Sequence, residues 1–190
     1  MNFLGHLYFS NDDTFLMKAN LYGDFIKGKD ISHLPEKIQE GVRLHRKIDD
    51  YIDTHPAVIE LLHKLYEHLP KVSGIAVDLY FDHLLAKNWK LFHKKDFEVF
   101  IYDFYATIDD SIELFSKDFH FMLTKMKEIN WLYSYQFMYG LEKSSEGVSS
   151  RISFPNNLSK APEIFLKLET EITNAFHIYM EDAKKVFLKQ

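Results

Sequence analysis

The sequence predicts an all-α fold, a multi-helix bundle forming one domain over residues 1–190. Three observations carry this. Alternation at period two is nowhere sustained, apolar residues recur at helical spacing along most of the chain, and turn formers are scarce, with only 7 Gly and 5 Pro. The core is amply supplied, since 46% of residues are hydrophobic and Phe (17) and Tyr (11) are unusually abundant.

In chain order, a first helix over Asn2–Phe9 ends at the turn-forming Ser10-Asn11-Asp12. Asp12 or Asp13 caps a second helix running through Ile26, because a carboxylate satisfies the orphan N–H groups of a first turn. Gly28-Lys29-Asp30 breaks it. Pro35 suits the first turn of a third helix, whose apolar positions Ile38, Val42, Ile48 and Ile52 carry it to Thr54. His55-Pro56 stops that helix, since a residue before proline avoids the α region.

A helix over Ala57–Glu67 follows, then Gly74–Phe92, the most apolar stretch and the expected centre of the bundle. Asp96–Thr107 and Ser111–Lys127 read as amphipathic helices rich in Phe, and Trp131–Leu141 as helical. A polar break at Ser144–Gly147 precedes Arg151, Asn156-Asn157 is a loop, and Ala161–Leu188 is one long closing helix.

Composition excludes several functions. A net charge of −5 argues against a sequence-indifferent nucleic-acid binder, which needs a basic surplus. Zero cysteines rule out disulfides, thiolate-bound zinc and a thiol nucleophile. MNFLGHLYFS is short, lacks a basic flank and carries His6, unlike a signal peptide. No run approaches the ~18 apolar residues of a membrane span. The expected setting is cytoplasmic, with no membrane and no nucleic-acid partner.

Ionisable residues stand where apolar stripes should be. His6 lies among Phe3, Leu4, Leu7 and Tyr8; Asp24 follows Leu21-Tyr22-Gly23; Asp82 and His83 sit within Leu79–Leu85. A buried carboxylate without a partner costs several kcal/mol, on the order of the desolvation penalty of a charge, so each needs a partner, and a metal would serve. His45 and Asp49 are four apart, as are Asp78 and Asp82, so each pair can share a helical face. Asp82 and His83 are adjacent and diverge by about 100° on a helix. A sulfur-free set of imidazoles and carboxylates suits Mn, Fe, Zn or Mg, leaning to the harder ions. The plain alternatives are a hydrogen-bonded core histidine and a surface His–Asp pair. Arg43 and Arg46 flank His45 and could hold a phosphate, or could equally form a solvated face with Asp49, Asp50 or Asp53.

Four motifs occur in order: Asn2-Phe3-Leu4-x-His6-Leu7, Asn20-Leu21-x-x-Asp24-Phe25-Ile26-Lys27-Gly28, Leu44-His45-Arg46-Lys47-Ile48-Asp49, and Asp82-His83-x-Leu85-x-x-x-Trp89. Together with Ser150-Arg151 they resemble the acyl carrier protein phosphodiesterase family, whose helical fold is distantly similar to the HD-type metal phosphohydrolases. The resemblance is specific over a front half of about residues 1–92, and the helical remainder, about 93–190, is divergent.

The resemblance implies hydrolysis of the phosphodiester joining 4′-phosphopantetheine to a serine of holo-acyl carrier protein, with a divalent metal, typically Mn²⁺, and metal-activated water. On that basis Asp24, His45, Asp82 and His83 are expected to hold the metal, with His6 and Asp49 as further ligands or as partners orienting them. Asp49 or Asp78 would accept the water's proton. Arg46, with Arg43 and Arg151, would neutralise charge on the phosphate. Lys27 and Lys29 would meet the acidic carrier. Two other classes fit the same residues: an HD-like phosphohydrolase acting on a nucleotide or other small phosphoester, and a non-enzymatic module binding metal or carrier protein.

Overall fold

The computed structural model describes residues 1–188 and contains helices and turns, with no strand among the described residues. Twelve α-helices follow in order: α1 (Phe3–Tyr8), α2 (Thr14–Leu21), α3 (Glu36–Thr54), α4 (Pro56–Tyr66), α5 (Ser73–Lys87), α6 (Trp89–Phe92), α7 (Phe97–Ala106), α8 (Lys117–Glu128), α9 (Trp131–Ser134), α10 (Met138–Ser149), α11 (Ala161–Lys167) and α12 (Glu169–Phe187). The all-α expectation is borne out.

The front half follows its sequence signals. Ser10–Asp12 turns, with Asn11 and Asp12 at positive φ, and the Asp13 carboxylate accepts from Leu16 N at 3.0 Å to start α2. α2 and α3 approach so closely that a Cβ on Gly41 would lie 2.3 Å from Ala19 Cβ. Ile38, Val42, Ile48 and Ile52 all point inward from α3. α5 is buried along most of its length, as expected for a central helix, while α4 and α10 pack beside it and α12 closes over α4 and α5.

The structure differs from the sequence expectation at several helix ends. The second helix stops at Leu21, and Tyr22–Phe25 forms a 3₁₀ turn instead. Ser111 adopts left-handed φ (55°), so α8 starts only at Lys117, where Ser116 Oγ accepts from Phe119 N. The polar run Ser144–Gly147 is helical: Ser144 and Ser145 are buried in α10, small enough to sit against the core. The closing helix divides at Leu168, and the helix expected over Gly74–Phe92 divides at Asn88, the C-cap of α5.

Lys18 supplies a long-range tie. Its buried ammonium donates to the carbonyls of Thr107 and Asp110, both at 2.6 Å, fastening α2 to the turn after α7. Burial pulls its pKa down while Asp110, Asp109 and Glu113 oppose that.

Candidate metal centre

α1 and α3 bring two imidazoles and a carboxylate together. His6 and His45 are both buried and stack, with ring centroids 4.3 Å apart and planes 19° from parallel. Asp49 bridges them: its Oδ1 lies 3.2 Å from His6 Nε2 and its Oδ2 lies 3.1 Å from His45 Nε2. Asp24 Oδ1 approaches His45 Nε2 at 3.4 Å from the 3₁₀ turn after α2. One potential ligand atom from each of His6, His45 and Asp49 falls within 4.8 Å of the others, so the three could hold a metal ion.

Local sequence explains the placement. His45 and Asp49 are one turn apart on α3, so their side chains meet on one face. Gly23 leaves room for the His45 ring, since a Cβ there would lie 2.3 Å from His45 Cγ. His6 is oriented by Asn20 of α2, whose Oδ1 lies 2.9 Å from His6 Nδ1. The Asn20 amide is itself fixed, because its Nδ2 donates to His6 O and Ser10 Oγ. Oδ1 must therefore accept, His6 Nδ1 carries the proton, and the lone pair of the neutral ring is on Nε2, facing Asp49.

Electrostatics sharpen this. Burial holds the His6 pKa below its ordinary value, against the opposing pull of Asp49. Burial alone would raise Asp49, but its hydrogen bond and charge interactions with His6, with His45 adding to them, bring it below its usual value. That hydrogen bond exists only while His6 is protonated; with His6 neutral, a lone pair and a carboxylate oxygen face each other at 3.2 Å, and a cation shared by them satisfies both. The donor chemistry fits a divalent metal, and Asn20 supplies the outer hydrogen bond that orients a ligating histidine.

The group lies in a pocket of about 330 Å³ between α3 and α5, also lined by Asp53, Asp78, Ile75 and Val148. Asp78 stands on this wall, with the buried Met1 amine 3.0 Å from its Oδ1 and 3.9 Å from Asp49 Oδ1. Burial opposes the amine's charge, but Asp78 and Asp49 keep its pKa raised. Burial and the charge of Asp78 push the Asp53 carboxyl up.

The remaining residues picked out in the sequence are placed elsewhere. Asp82 is buried beneath α1, where Oδ2 accepts from Leu4 N at 2.7 Å and Oδ1 from Gly5 N at 3.0 Å. It occupies the helix N-terminus that Asn2 does not cap with its side chain. Burial raises its pKa to about 7 despite these two donors. His83 points to the other side of α5, as the 100° step between neighbours requires. Its Nδ1 meets Tyr135 O at 2.7 Å, its ring packs edge-on to Phe165, and burial lowers its pKa.

None of the three arginines lines the pocket. Arg46 donates to Gly28 O at 2.6 Å and Lys29 O at 3.3 Å, Arg43 to Gln39 Oε1, and Arg151 to Gly147 O. Asn20 opens the second of the four sequence motifs but was given no role there, although a polar side chain between Ala19 and Leu21 on a buried helix was a signal of the same kind as His6.

Fold and site thus define an all-helical protein whose two buried histidines and half-buried aspartate could hold a divalent cation. The chain belongs to the acyl carrier protein phosphodiesterase family, whose model matches residues 1–183. It is 28% identical over 152 residues to the acyl carrier protein phosphodiesterase of Photorhabdus laumondii subsp. laumondii, covering 80% of this chain and 77% of that protein. It is 34% identical over 89 residues to proteins of the same name from Salmonella agona and Salmonella newport, covering 47% of this chain and 46% of theirs. The matched stretch thus spans about half the length of the Salmonella relatives. No solved structure matches the chain significantly. No described helix is long and apolar enough to cross a membrane.

Proposed function

We propose that this protein hydrolyses the phosphodiester linking 4′-phosphopantetheine to the serine of holo-acyl carrier protein, releasing apo-carrier protein and 4′-phosphopantetheine. Family membership over residues 1–183 supports the reaction class and substrate. The observation that carries the chemistry is that Asp49 bridges the two imidazoles, Oδ1 at 3.2 Å from His6 Nε2 and Oδ2 at 3.1 Å from His45 Nε2, in a pocket large enough for a phosphoester.

His6, His45 and Asp49 would hold the metal, with Asp24 beside them, and Mn²⁺ is the ion we propose. Bound there, a divalent cation supplies a polarised phosphoryl oxygen and water of lowered pKa. Asp78, on the same pocket wall, would accept the attacking water's proton. Asp82 holds α1, and through it His6, at the site. Arg46 holds the Gly28–Lys29 loop that follows Asp24, which leaves exposed Lys27 and Lys29 to face an acidic carrier.

Mass spectrometry of holo-carrier protein after incubation with the enzyme and Mn²⁺ tests this. Loss of the phosphopantetheine mass is the expected result, and a carrier of unchanged mass sinks the proposal.

A further inference from the structure

The pocket has two kinds of lining. Met1, Asn2, His6, His45, Asp24, Asp49, Asp53 and Asp78 are polar, while Ile52 of α3, Ile75 and Leu79 of α5 and Val148 of α10 contribute apolar surface to the same cavity. Helical register brings the two kinds together. On α3, Ile52 stands one turn beyond Asp49; on α5, Ile75 stands one turn before both Asp78 and Leu79. Ile52 and Leu79 are buried, and Ile75 and Val148 are half-buried, so the wall is partly open to whatever enters the cavity.

A free inorganic phosphate or a bare serine phosphate would leave such a wall unused. A phosphoester whose alcohol carries a compact branched hydrocarbon next to the ester carbon would cover it. 4′-Phosphopantetheine is built that way, with a quaternary carbon bearing two methyl groups directly beside the phosphate-bearing CH₂. A cavity of about 330 Å³ lies at the small end of ligand pockets, room for a phosphate and that branched end but not for a whole carrier surface.

We propose that the Ile52, Ile75, Leu79 and Val148 wall is a subsite for the geminal-dimethyl end of the phosphopantetheine arm, adjoining the histidine–aspartate group that faces its phosphate. The proposal rests on the functional reading above and adds to it the means by which the arm is told from other phosphoesters. Each methyl group taken from water into such a wall is worth about a factor of four in affinity. Two methyl groups give about fifteenfold.

The test is calorimetric binding of 4′-phosphopantetheine and of inorganic phosphate to the Mn²⁺-loaded full chain, for wild type, Ile75→Asn and Val148→Asn. Both substitutions fall on half-buried positions, and far-UV spectra check that helix content is kept. Wild type should bind phosphopantetheine about tenfold or more tightly than phosphate, and each variant should narrow that gap several-fold without altering phosphate binding. Equal wild-type affinity for the two ligands, or variants that leave the gap intact, would overturn the subsite. Turnover of holo-carrier protein by wild type is followed in parallel. An inert wild type overturns the functional reading beneath it, whereas an active wild type with an unchanged gap overturns the subsite alone.

Discussion

Asp49 and His45 occupy the centre of the proposed metal group, and each should be indispensable to it. Asp49→Ala and His45→Ala are expected to abolish Mn²⁺ binding in calorimetry while keeping the helical far-UV signal; near-normal binding by either would remove that residue from the ligand set. His83→Ala should behave oppositely, keeping Mn²⁺ affinity while losing stability, because His83 bonds Tyr135 O away from the pocket. pH separates the residues further. His6 has a folded pKa held below its unfolded value of about 6.5, so the unfolded chain binds more protons between the two. Its contribution to stability is therefore full above about pH 6.5 and is lost as pH falls through the folded value. On acidification below that point, urea midpoints of the metal-free wild type should drop relative to those of His6→Gln, while Asp82, whose pKa is raised to about 7, acts in the opposite sense in both. Mn²⁺ affinity should fall in the same direction, since ligating imidazoles must be unprotonated.

Short elements position these side chains, and their ends were the least legible part of the sequence. The 3₁₀ turn Tyr22–Phe25 sets Asp24 against His45, and Gly23 within it has no Cβ to collide with the ring. Gly23→Val should therefore displace His45 and weaken Mn²⁺ binding with little change in overall helix content. α1 depends on Asp82 in a similar way. Asp82→Ala leaves two buried N–H groups unpaired, each costing about 1–3 kcal/mol, so a loss of roughly 2–6 kcal/mol is expected in denaturant unfolding, together with weaker metal binding through a displaced His6. The motif Asp82-His83 was visible in the sequence, but its use was not. Which way two adjacent side chains point depends on what α5 packs against, and no spacing rule states that. The His45–Asp49 pair was legible because both partners lie on one helix. The roles of Asn20, although it stands in a motif, and of Lys18 were not, because their partners are contributed by other elements.

Across the molecule, the helical bundle and its central α5 followed from apolar periodicity, whereas the divisions at Leu168 and Asn88 and the buried serines of α10 did not. Charge also acts over the whole surface. The chain carries a net −5, so an acidic partner must be met by a local positive patch rather than by the overall field. Lys27→Glu combined with Lys29→Glu should raise KM for holo-carrier protein with little change in kcat, and rising salt should do the same to wild type. An unchanged KM at low salt would move the docking surface away from this loop. If the metal sits, and the phosphodiester is cut, at the α1–α3 histidine–aspartate group, anomalous diffraction from Mn²⁺-soaked crystals should show the manganese peak against His6 Nε2, His45 Nε2 and Asp49. A peak at Asp82 and His83, with none at that group, would rule the assignment out.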